Sequence, residues 1–151
     1  MPQNQPRTQS EAVSIAAMLG LPKPEKFDGL MLAEAIALGV PPSSVAALAK
    51  VIDPSGVNSR TLTLVPPRTL HRSRSTRKPL SKDRSETLWQ LAKVMHEAHR
   101  QYGNTEEARD FLFRPHPLLD GKRPADLAVA SAAGADLVMK ILQRAEAGLP
   151  V

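Results

Sequence analysis

The sequence predicts an all-α protein built from short helices. Three observations predict it. Apolar residues recur at helical spacing along several stretches, Pro and Gly fall between those stretches, and capping residues precede them. Hydrophobic residues make up 42% of the 151 positions but aromatics only 3%, so Ala, Leu and Val must supply thin, close-packed helical cores.

The elements follow in order. Residues 1–9 are polar, carry Pro2 and Pro6, and are expected to be disordered. A first helix is predicted over Glu11 to Leu19, with Ser10 as its cap and Gly20, Pro22 and Pro24 as its stop. A second covers Phe27 to Leu38, where Leu30, Ala33, Ala37 and Leu38 give the spacing and Gly39 the end. After Pro41-Pro42, Ser43 or Ser44 can cap a short helix through Leu48 and Ile52. The segment RTLTLV, residues 60–65, alternates apolar and β-branched residues and reads as a possible short strand. Pro66-Pro67 breaks it, and a helix begins at Pro67 carrying Arg68, Arg72 and Arg74.

From Ser85 to Tyr102 the positions Leu88, Leu91, Ala92, Met95, Ala98 and Tyr102 form one apolar face. Gly103 ends that helix, and Asn104 caps the next, with Glu107 at the third helical position. Pro115 and Pro117 stop it, Asp120-Gly121 forms a turn, and Pro124 opens another short helix. The last helix is predicted over Ala135 to Ala147, lined by Leu137, Val138, Ile141, Leu142 and Ala145 as core, with Gly148 as its end.

Charge is uneven. Residues 60–84 hold eight Arg or Lys and one acid, whereas residues 85–151 hold eight basic and nine acidic residues. The central strip is the candidate nucleic-acid face, and the nearly neutral C-terminal half suits protein contact. The chain has no cysteine, which excludes disulfides and cysteine-based zinc sites. It shows no signal-peptide pattern and no apolar run near the roughly 18 residues that span a bilayer. A cytoplasmic location is expected.

Little points to catalysis. Of His71, His96, His99 and His116, only His96 and His99 have a metal-pair spacing, and no further ligand joins them. There is no cysteine nucleophile, phosphate-gripping glycine loop or serine elbow. The expectation is a protein that is not an enzyme, with no cofactor and no metal site.

One segment is more distinctive: the helix around Arg84 to Tyr102 after Leu80-Ser81, then Ala108-Phe111-Leu112, the connector RPHPLLDGKRPADL, Gly134 and the helix to Gly148. In order and spacing this stretch resembles the C-terminal toxin-binding domain of the Xre/MbcA/ParS antitoxins, partners of RES-fold toxins. Many relatives carry Trp at Phe111, Asn at His116 and Leu at Ala125. RTLHRSR, Arg68 to Arg74, is similar to the Arg-rich join that follows the Xre-like helix-turn-helix domain of such antitoxins. The resemblance implies that domain over residues 10–75, a linker at 76–84 and the toxin-binding helical domain at 85–151.

The resemblance also implies a mechanism. The toxins act on NAD, and the antitoxin's C-terminal region covers their active site. Here that gives Gly148, Leu149, Pro150 and Val151 as the blocking tip, with Lys140 and Arg144 on one helical face and Arg114 and Arg123 from the connector as further toxin-binding residues. For DNA, Arg68, Arg72, Arg74, Arg77 and Lys78 can neutralise phosphates, while Ser43, Ser44, Asn58, Ser59 and Arg60 are candidate base readers. The implied partners are a cognate RES-domain toxin, operator DNA and a second copy of the chain, as a homodimer within a larger complex. Two alternatives stand beside this: a standalone helix-turn-helix regulator whose C-terminal domain dimerises, and an adaptor without DNA binding.

Overall fold

The structure, a computed structural model, describes residues 7–58 and 62–148. Among the described residues it is all-α, with eight α-helices, two short 3-10 turns and no strand. The first helix, α1 (Arg7–Met18), begins before Ser10, so Ser10 lies inside it and not at the start expected from the sequence. Asp28 starts α2 (Gly29–Leu38) by accepting from the Met31 amide at 2.8 Å. Neither candidate serine caps α3 (Ser43–Ile52); Pro42 stands at that position. Ser44 is fully buried, and its hydroxyl donates to the Leu19 carbonyl.

The expected strand is absent from the described part of residues 60–65. Leu62, Leu64 and Val65 are buried in irregular backbone. Their apolar side chains join the helical core, and no strand among the described residues offers a ladder. Pro67 opens α4 (Pro67–Thr76), as its spacing predicts.

The next helix, α5 (Lys82–Tyr102), begins earlier than expected because Ser81 accepts from the Arg84 amide at 3.2 Å. Asn104 accepts from the Glu106 and Glu107 amides at 2.8 and 3.2 Å to start α6 (Thr105–Phe113). Pro124 is the first residue of α7 (Pro124–Ala130). Ser131 accepts from the Gly134 amide at 2.9 Å, so α8 (Ala132–Glu146) also begins earlier than expected.

α5 is the axis of the molecule. It packs against α1, α2 and α3 and against α6, α7 and α8. Leu88, Leu91, Ala92, Val94, Met95 and Ala98 are all buried, and each large aliphatic side chain among them contributes about 1.5–3 kcal/mol. One continuous core therefore joins the two halves. The segment at 76–84 takes part in that join. Leu80 is buried, its amide donates to the Val40 carbonyl at 2.9 Å, and the Val40 amide donates to the buried Ser85 hydroxyl at 2.9 Å. Gly39 makes this possible: at a φ of 99° it passes so close to Leu80 that a side chain would strike the Leu80 carbonyl oxygen.

Candidate functional site

The C-terminal face begins with the connector between α6 and α7. Pro115 and Pro117 pre-set its backbone, and Asp120 and Gly121 turn it with φ of 59° and 77°. The loop then closes on itself. The His116 amide donates to the Lys122 carbonyl at 3.1 Å, and the Gly121 amide donates to the His116 carbonyl at 3.0 Å. The His116 ring meets Phe111 edge-on at 6.1 Å, and Tyr102 lies tilted against Phe111 at 5.9 Å. Tyr102, Phe111, Arg114 and His116 line an open cleft of about 510 Å³. Tyr102 does not lie on the buried face that its spacing predicts; it sits at the rim, and burial raises its pKa above 10.0.

The two connector arginines have different positions. Arg114 is exposed and reaches Asp110 only at 3.9 Å, so it is available to a partner. Arg123 is committed to Asp126 by two hydrogen bonds of 2.8 Å and lies 5.8 Å from the Phe113 ring. The Asp126 hydrogen bond raises its pKa further. Arg123 is thus a brace at the start of α7, paired within the chain where Arg114 is exposed.

On α8, Ala135, Val138, Ile141 and Leu142 are buried against the core. Gly134 passes so close to α7 that any side chain there would meet the Leu127 carbonyl. Leu137, expected in the core, is 46% exposed. At helical spacing it shares the outer face with Ala133, Lys140 and Arg144. Lys140 pairs with Asp136 at 3.0 Å while remaining exposed, and Arg144 has no carboxylate partner among the described residues. Sequence reasoning missed Leu137, although its spacing to Lys140 and Arg144 was readable. Gly148 leaves α8 with a φ of 74°. Leu149, Pro150 and Val151 lie outside the described residues.

The expected DNA-contacting residues fall into separate places. Ser43, Arg74, Arg77 and Lys78 line one cleft of about 650 Å³ between the start of α3 and the end of α4, and no acid lines it. Arg68 and Arg72 are exposed on α4, whereas Ser73 is buried. Ser73 anchors α4 by donating to the Lys78 carbonyl. Asn58 lies elsewhere, beside Asp53 and in a cleft with Arg109 and Arg114. Ser44 is buried and cannot meet a base edge in this conformation. Ser59 and Arg60 lie outside the described residues.

His96 is half-buried and His99 exposed on α5. Among the described residues no group of three or more His, Asp or Glu side chains could hold a metal ion. No helix of the described chain is long and apolar enough to cross a membrane.

Residues 98–148, about a third of the chain, match the family model of the antitoxin Xre/MbcA/ParS C-terminal toxin-binding domain. The match begins in the last turns of α5 and takes in α6, the connector, α7 and α8. The resemblance read from the sequence therefore stands over these residues. No curated protein matches the chain.

Proposed function

We propose that this chain is an antitoxin that inhibits a cognate RES-domain toxin by covering its active site with the end of α8 and the tip beyond it. The observation that carries the reading is the match of residues 98–148 to a toxin-binding domain. The exposed ridge of Leu137, Lys140 and Arg144 supports it, since an apolar side chain flanked by cations suits a pocket rimmed by carboxylates. Arg114 at the connector cleft extends the cationic surface. Gly148 lets the chain leave the helix toward the toxin, and inhibition requires only that the NAD cleft be occupied.

The same reading includes repression of the chain's own operon by an Xre-like helix-turn-helix unit over residues 10–75. The acid-free cleft of Ser43, Arg74, Arg77 and Lys78 supports it, because cations without internal partners favour phosphate. A dimer would place two such clefts on one palindrome. The protein acts by binding and has no catalytic residue, cofactor or metal of its own in this reading, and it works in the cytoplasm, where its toxin and operator are.

The experiment is co-expression with the product of the adjacent gene and purification through a tag on this chain. The expected result is a stoichiometric complex that survives gel filtration. Separate elution of the two products overturns the reading and leaves the regulator alternative.

A further inference from the structure

The connector is held by a histidine that serves as a cap. His116 precedes the short 3-10 turn at Pro117–Leu119, and its Nδ1 accepts from the Leu118 amide at 3.1 Å. An imidazole nitrogen accepts only while it carries no proton, so this cap requires the neutral ring with its proton on Nε2. The backbone of the same residue closes the loop, since its carbonyl accepts from the Leu119 and Gly121 amides, each at 3.0 Å. Leu119, next to the capped amide, is buried in the core. The His116 ring meets Phe111 and lines the cleft that holds Tyr102 and Arg114. The residue is half-buried, so solvent protons reach it.

Protonation turns Nδ1 from an acceptor into a donor and sets it against the Leu118 N–H. That amide has no second acceptor among the described residues, so the cap is lost and the ring must turn away. One wall of the cleft moves with it. The groups that face the ring across the cleft are of both signs: Tyr102 from α5, Glu107 and Asp110 from α6, and Arg114 at the end of α6. Asp120 and Lys122 are the exposed charges of the turn itself. We propose that His116 is a positioning residue that makes the connector cleft sensitive to pH: its neutral ring holds the cleft in the shape that meets the toxin, and its imidazolium releases that shape. The effect on the toxin rests on the proposed toxin contact; the opening of the cap does not.

The test compares the full chain with His116→Asn, whose side-chain oxygen can accept from the same amide but does not titrate. His96→Gln is carried in every chain, so that the half-buried histidine of α5 does not contribute. Lowering the pH from about 7.5 to about 5.5, where imidazoles ordinarily titrate, should move the Leu118 amide proton upfield in the magnetic resonance spectrum, with the midpoint of the His116 ring protons. In His116→Asn that amide should stand still. Over the same interval, capture of the adjacent-gene product should weaken about threefold to tenfold more in the parent than in His116→Asn, as the loss of one hydrogen bond implies. His116→Ala lacks the cap at any pH and should bind weakly throughout. A Leu118 amide that does not follow His116 overturns the proposal. Equal pH dependence of capture in the parent and in His116→Asn overturns the effect on the toxin. If no chain captures that product at any pH, the toxin contact itself fails and takes this effect with it, while the Leu118 amide still decides whether the cap opens.

Discussion

His96 and Glu97 are neighbours on the central helix with opposite surroundings. Burial favours the neutral imidazole and holds the His96 pKa below its ordinary 6.5, against the pull of the Glu11 and Glu97 carboxylates. Burial alone would raise Glu97, but hydrogen bonds from Arg100 and Gln101 at 2.8 to 3.2 Å outweigh it and leave its pKa below 4.5. Both folded pKa values are depressed, so the unfolded chain takes up protons first on acidification. Stability should fall once pH drops below 6.5, where the unfolded histidine titrates, and fall again below 4.5 as Glu97 protonates. Urea midpoints against pH measure this, and His96→Gln should flatten the first step only. Gly134→Ala tests a different residue. Its methyl group would meet the Leu127 carbonyl, so α7 and α8 must separate, costing about 1–3 kcal/mol by the same urea method. Ser44, Arg123 and Leu137 show why single residues were hard to read. Serine at a helix start and arginine beside prolines look free in one dimension, and only the fold supplies the Leu19 carbonyl and the Asp126 carboxylate that engage them.

At the scale of elements the sequence was more legible, because caps and breakers act locally. Asn104, Pro67, Pro124 and Gly103 stand where their chemistry places them. The failures came where local signals competed. RTLTLV has a strand's alternation in sequence, but among the described residues there is no strand to pair with, and α8 has apolar residues over too wide an arc for all to be inside. Leu137 lies roughly 110° from the middle of the buried stripe at about 100° per residue, so packing on α5 and α7 decides that it faces out. α4 has the opposite composition: it carries cations on its outer face and on the flank that borders the α3 cleft. If that cleft grips phosphates, Arg74→Glu with Arg77→Glu should weaken binding to the chain's own promoter fragment by about tenfold or more in gel retardation and lessen its salt dependence. Unchanged retardation would remove α4 from the DNA face. Helicity should not change, since both side chains are exposed.

For the whole molecule, the sequence suggested two units joined by a linker, and the structure knits both halves onto α5. The signal for this was weak in one dimension. Val40 and Ser85 meet across forty-five positions, and no local pattern encodes such a contact. The shared core leaves the α4 cleft, proposed for DNA, and the outer side of α8, proposed for the toxin, as separate surfaces. The toxin contact is tested by titrating NAD consumption of the adjacent-gene toxin with this chain, whole and ending at Ala147. The whole chain should stop NAD loss at equimolar addition. The shortened chain should keep its thermal midpoint and inhibit far less. Equal inhibition by both would contradict the role of the tip, and continued NAD loss with the whole chain would contradict the antitoxin itself.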